Sequence, residues 1–169
     1  PAADPETIAV GANDTSGRRS HYSQWGAALD FVAPSDGGWV GLGIETTDLT
    51  SAQPAGPWGF AGYDSGNYCQ AGTGSKFGGT SAACPLAAGV GALVRSVNTG
   101  LSPSQVRNLL RSTCIQLDPA WYTYFGGRCD QVGYGQVDAQ AAVALAGTTP
   151  PIAAIAFDLK ITEVSPIDS

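Results

Sequence analysis

Methionine is absent from this 169-residue chain, histidine occurs once, and Lys and Arg together number only 8. Each scarcity excludes something. A chain that opens Pro1-Ala2-Ala3 without a methionine is expected to begin at a proteolytic cut or at an imposed boundary and not at an initiation residue. The basic residues are scattered, with Arg18-Arg19 the one adjacent pair, so no patch can neutralise phosphates and nucleic acid is not an expected partner. The 4 cysteines form no CxxC pair and no Cys/His cluster, which removes zinc and leaves disulfides or buried thiols. The longest apolar run, Ala82 to Val94, is about thirteen residues and holds Pro85 and two glycines. That is short of a bilayer span, so no membrane partner is expected.

What is present suits a compact Gly-rich α/β protein: 43% hydrophobic residues, 13% charged, 23 Gly and a formal net charge of −6. Thr7 to Ala12 and Leu29 to Ala33 are short apolar runs closed by Asn13-Asp14 and by Pro34, the pattern of buried parallel strands. From Ser35 to Gly78 the chain reads as long surface loops around one short strand near Gly43 to Thr47. Composition then shifts to Ala, Leu and Val. Leu86, Val90, Leu93 and Val97 recur at helical spacing over Ser81 to Val97, which predicts a helix apolar almost all round and therefore central. Ser102-Pro103-Ser104-Gln105 is a capping box that opens a second helix, with Val106, Leu109 and Leu110 on its buried face. A third helix is expected over Val137 to Ala146, stopping at Gly147. Residues 148–152 read as a linker, and 153–169 alternate like the first strand of a following β domain or a tail.

The chemistry concentrates at Phe77-Gly78-Gly79-Thr80-Ser81-Ala82. A serine at the start of a long helix stands where free amides and the positive end of the helix dipole meet. Its own amide can donate to the oxyanion that forms during acyl transfer. Gly78 and Gly79 carry no side chain to hold off a substrate backbone. The bland alternative is an ordinary N-cap. An α/β-hydrolase elbow does not fit, because it needs glycine two residues after the serine and Ala83 stands there.

The run Gly79-Thr80-Ser81-Ala82-Ala83-Cys84-Pro85-Leu86-Ala87-Ala88-Gly89 resembles the nucleophile motif of the subtilases, the subtilisin-like serine peptidases. Other segments match in family order. Pro1-Ala2 and Ile8 to Ala12, Tyr22-Ser23-Gln24-Trp25-Gly26, Leu29 to Pro34, and Gly133-Tyr134-Gly135-Gln136-Val137-Asp138-Ala139 all resemble family segments. The resemblance implies that residues 1–147 are the carboxy-terminal part of a catalytic domain, a partial three-layer fold with a mostly parallel sheet and flanking helices. It implies a serine endopeptidase acting on protein or peptide substrates, with Ser81 catalytic and Gly79 and Thr80 substrate-binding. Tyr22-Ser23, Thr46-Thr47-Asp48 and Thr80 to Gly89 look closer to the kexin-like branch and its bacterial relatives. A secreted location follows from the same resemblance.

The family's other machinery is not in these residues. Subtilases place the acid and then the base ahead of the serine, in Asp-Thr/Ser-Gly and His-Gly-Thr motifs; no His-Gly-Thr occurs here, and the one Asp-Ser-Gly, Asp64-Ser65-Gly66, is not followed by a histidine before Ser81. The sole histidine, His21, lies in Ser20-His21-Tyr22-Ser23 and reads as a loop residue, and the oxyanion-hole Asn segment is also absent. In subtilisin, loss of the Ser or the His costs about six decades in rate. The chain alone is therefore expected to be nearly inactive and to need the amino-terminal half of the domain as its partner. The alternative is a degenerate subtilase-like domain kept for binding or adhesion.

Cys114 and Cys129 flank an aromatic loop, and closing the 14 intervening residues would remove about 3 kcal/mol of unfolded-state entropy, so a disulfide is expected there. Cys84 is expected to be a buried free thiol. Cys69 resembles a branch cysteine whose partner lies upstream. Asp30 matches a family position near a weak cation site, but a buried or capping carboxylate is the simpler reading, so no metal and no cofactor are assigned, calcium being allowed in the complete family fold. Trp25, Trp39, Trp58 and Trp121 are read as packing down their loops, with no binding role.

Overall fold

The computed structural model describes residues 4, 7–37, 42–47, 68–69 and 77–150. Strand β1 (Val10–Asn13) pairs in parallel with β2 (Phe31–Pro34), with Val10 opposite Phe31 and Ala12 opposite Ala33. The 133–137 segment lines the other edge of β2: the amides of Tyr134 and Val137 donate to Asp30 O and Val32 O at 2.8 and 2.9 Å, and Val32 N donates to Gly135 O at 2.9 Å. β2 is thus the centre of the sheet. Gly133 makes this approach feasible, since its φ is 61° and a Cβ there would collide with the Asp30 main chain. A small antiparallel pair, β3 (Thr46–Thr47) with β4 (Tyr68–Cys69), stands apart as a second sheet, and the short expected strand is found there.

Alternation along β2 separates two cores. Phe31 and Ala33 face one side, where Ala12 joins α1 (Thr80–Val97), α2 (Pro103–Ser112) and α3 (Ala139–Thr148) through Ala83, Ala87, Val94, Leu110 and Ala146. Val32 faces the other side and packs with Leu29, Leu117, Tyr122, Cys129 and Val132. All three helices therefore cover one face, and the irregular 115–132 segment covers the opposite one.

Helix boundaries follow their caps. Ser102 Oγ accepts from Gln105 N while Gln105 Oε1 accepts from Ser102 N, the capping box read from the sequence. α3 is displaced by two residues at each end from the expected 137–146. Asp138 is the N-cap, accepting from Ala141 N at 3.0 Å, and Asn98 Nδ2 caps the far end by donating to Ala146 O and Thr149 O. Gly147 therefore stays helical, as does Thr148, the first residue of the expected linker. Residues 151–169, including the expected β segment, lie outside the described residues.

α1 departs from the expectation of a central helix. Ala82, Ala83, Ala87 and Val94 are buried, whereas Leu86, Leu93 and Val97 are exposed. Its 18 residues reach a mean hydropathy of 1.2, long and apolar enough to cross a membrane by length and composition, beyond the thirteen-residue run read from the sequence. Its buried stripe on β1, β2 and α3 makes it a helix of this fold.

The corner where β1, β2 and α2 meet is closed by Asp30, whose side chain is fully buried. Oδ2 accepts from Ala9 N at 2.7 Å and from Arg107 at 3.1 Å, while Oδ1 accepts from Arg107 Nε at 3.0 Å and from Arg111. Arg111 also lies over the Tyr134 ring, 5.5 Å from its centroid. Removing one member of a buried ionic set strands the others, at a cost of about 3–5 kcal/mol. Asp30→Ala is expected to lose stability in that range in urea unfolding, and a change below about 1 kcal/mol would show that the corner is held by other contacts.

Candidate active site

Ser81 is the second residue of α1 and is exposed. Gly79, the N-cap, has φ 80° and ψ 173°, a conformation that favours glycine, and it caps without any side-chain hydrogen bond. Its carbonyl starts the helix, accepting from Ala82 N at 3.0 Å and Ala83 N at 3.3 Å. Among the described residues, the Ser81 hydroxyl has no hydrogen-bond partner. It is held out at the positive end of the helix, a place suited to nucleophilic attack and to an anionic intermediate.

The turn before Ser81 is held from the loop after β2, by residues that sequence reasoning did not assign to the site. Gly79 N donates to Asp36 Oδ1 at 3.1 Å and to Tyr22 Oη at 3.2 Å. Ser35 Oγ donates to Gly79 O at 2.9 Å. Tyr22 Oη in turn donates to the Asp36 carboxylate. Burial, and then the hydrogen bond to Asp36, raise the Tyr22 pKa above its ordinary value, so the ring remains a phenol donor at neutral pH. These contacts bridge 43 and 57 positions of sequence, and the only local sign of them was the Gly78-Gly79 doublet.

The other site residues are placed as follows. Thr80 borders a cleft of about 300 Å³ shared with Val10, Gln24, Trp25 and Leu29. His21 is turned to the Gly37 carbonyl, 3.0 Å from Nδ1, and packs edge-on against Tyr22, with no hydrogen bond to Ser81. Trp25 and Trp121 are more than half exposed and are not packed down as expected, although the Arg18 guanidinium covers the Trp121 ring at 4.0 Å. Trp39 and Trp58 lie outside the described residues.

The cysteines correct two expectations. Cys114 and Cys129 are free thiols and form no bridge. Cys114 sits against the helix-side core with its Sγ on Leu110 O at 3.2 Å, whereas Cys129 is buried in the opposite core. Burial, then the charges of Asp138 and Asp30, push the Cys114 thiol up to about 12. Cys84 is exposed, because the face of α1 that carries it is not covered.

A cation does not fit at Asp30, whose two carboxylate oxygens are filled by two guanidinium groups and an amide. Calcium takes six to eight oxygen ligands, and among the described residues no group of three His, Cys, Asp or Glu side chains could hold a metal.

A parallel sheet with helices packed on one face defines the fold, and solved structures share it. The serine protease of Aeromonas sobria superposes with a TM-score of 0.66 at 21% identity, over 85% of this chain and 30% of that one, which establishes the fold. The chain belongs to the subtilase family, whose sequence profile matches residues 1–142. It is 38% identical to the "Calcium-dependent protease" of Trichormus variabilis, over 97% of this chain and 26% of the relative. It is 37% identical to "Alkaline elastase YaB" of a Bacillus species, over 84% of this chain and 28% of the relative. The chain thus spans about a quarter of the length of these relatives.

Thiol accessibility tests the cysteine assignments. Brief iodoacetamide treatment of the folded 169-residue chain by itself is expected to modify Cys84 and to spare Cys114 and Cys129, both of which become modified in denaturant without reductant. Resistance of that pair under denaturing, non-reducing conditions would contradict the free thiols.

Proposed function

We propose that this chain carries the nucleophile of a serine endopeptidase, with Ser81 attacking the scissile carbonyl to form an acyl-enzyme. The observation that carries the reading is the exposed, unpartnered Ser81 hydroxyl at the head of α1, within a chain of the subtilase family. The carbonyl carbon bonds to Ser81 Oγ as the serine proton passes to a general base, the amide end of α1 faces the oxyanion, and the base then gives that proton to the departing amine as the peptide C–N bond breaks. Gly79 and Thr80 offer main chain along which a peptide substrate lies. His21, the one histidine here, has its Nδ1 on the Gly37 carbonyl and makes no hydrogen bond to Ser81, so this reading takes the base and the acid that orients it from sequence outside these 169 residues.

The apolar side of α1 supports the same reading. Val10, Phe31, Cys84, Ala88, Val106 and Leu110 line an open groove of about 610 Å³. We place the remainder of the catalytic domain against this surface, which is larger than a single exposed side chain would explain. Secretion and the kexin-like bacterial branch belong to the proposal and rest on the resemblance alone. The relatives' names suggest calcium elsewhere in the complete domain, not at Asp30.

Activity separates this reading from a binding module. In the protein comprising the whole catalytic domain, Ser81→Ala is expected to lower kcat on a peptide substrate by about six decades. The 169-residue chain alone is expected to hydrolyse nothing above background. Wild-type turnover in Ser81→Ala, or no turnover in the complete protein, would sink the assignment.

A further inference from the structure

Asp36 is a buried carboxylate, and among the described residues no ion pair reaches it. A buried carboxylate without a counter-ion is costly unless hydrogen-bond donors satisfy it. The donors to its Oδ1 are the Tyr22 hydroxyl and the Gly79 amide. Its main-chain carbonyl is engaged too, by Tyr22 Oη at 2.7 Å and by the Ser20 hydroxyl, which fixes the loop that carries it. Ser35, next to it, supplies the hydroxyl that holds Gly79 O.

Gly78 completes the arrangement. A Cβ at position 78 would fall inside contact distance of the Asp36 carboxylate, so residue 78 must be glycine for that carboxylate to reach Gly79 N. The identity of residue 78 is thereby tied to that of residue 36.

We propose that Tyr22, Ser35 and Asp36 are positioning residues for the nucleophile: they hold both main-chain groups of Gly79 and so set where the Ser81 hydroxyl and amide stand against a bound acyl group. This rests on the protease reading of Ser81 and adds to it a support built from the β2 end of the sheet. Gly79 is two residues from Ser81 and its carbonyl begins α1, so a rotation of this peptide moves the reacting oxygen directly. Displacements near 1 Å at a reacting group cost up to about a hundredfold in rate.

The test uses the protein comprising the whole catalytic domain, with active-site titration to count competent molecules and a peptide ester as substrate. Tyr22→Phe and Asp36→Ala are expected to lower kcat per titrated site about tenfold or more, with KM changed less than twofold. Asp36→Asn is expected to recover part of the loss, because its amide oxygen still accepts from Gly79 N. Gly78→Ala is expected to be damaging alone and to add nothing in the Asp36→Ala background. A merely structural role would reduce the number of titrated sites and leave kcat per site unchanged, and that result overturns the proposal. Hydrogen exchange gives an arm that does not depend on activity: the Gly79 amide is expected to exchange about tenfold faster in Asp36→Ala. Should the unaltered protein show no turnover, the protease reading falls and the exchange rate alone decides the clamp, unchanged exchange overturning it.

Discussion

The buried Asp30 carboxylate is the constraint on which the rest of this structure depends. Its side chain joins the main chain entering β1 to two arginines of α2, and its main-chain carbonyl receives the 133–137 segment. A charge in that position is costly unless it is neutralised and hydrogen-bonded, and the Ala9 amide with Arg107 and Arg111 of α2 supplies both. With that corner fixed, β2 runs between its two neighbours, and its alternating side chains divide the interior into a helix-side core and a loop-side core.

A second buried carboxylate, Asp36, lies just beyond the far end of β2 and has the opposite solution. Asp30 is balanced by guanidinium groups, whereas Asp36 is satisfied by a phenol and a glycine amide. The first choice gives strength at a structural corner. The second turns the desolvation of a carboxylate into a hold on the backbone just ahead of Ser81. One strand therefore links the buried corner at Asp30 to the placement of Ser81.

Much of this was legible in the sequence where the signal was local. The capping box at Ser102-Pro103-Ser104-Gln105, the two apolar strands and the glycine-to-helix transition before Ser81 each announce themselves within a few residues, and each lies where it was expected. The errors arose where a partner distant in sequence decides. Cys114 and Cys129 have the spacing of a disulfide, yet β2 runs between the cores they occupy. α3 starts late because Asp138 caps it and ends late because Asn98, from the end of α1, holds its last turn. Cys84 and Leu93 read as buried because the apolar periodicity of α1 covers its whole circumference, and periodicity does not say which covering surface is within these residues. Beyond the Gly78-Gly79 doublet, Tyr22 and Asp36 left no local trace of their contact with Gly79, since nothing but the fold brings those positions together.

If Ser81 Oγ is the nucleophile, an acyl group trapped on the enzyme is carried by that oxygen. A slowly deacylating ester is added to the protein comprising the whole catalytic domain, the reaction is quenched in acid, and tryptic peptides are weighed. One acyl adduct is expected on the peptide from Phe77 to Arg95, located by fragmentation on Ser81. An adduct on another residue, or none in a protein that turns over the ester, would contradict that role for Ser81.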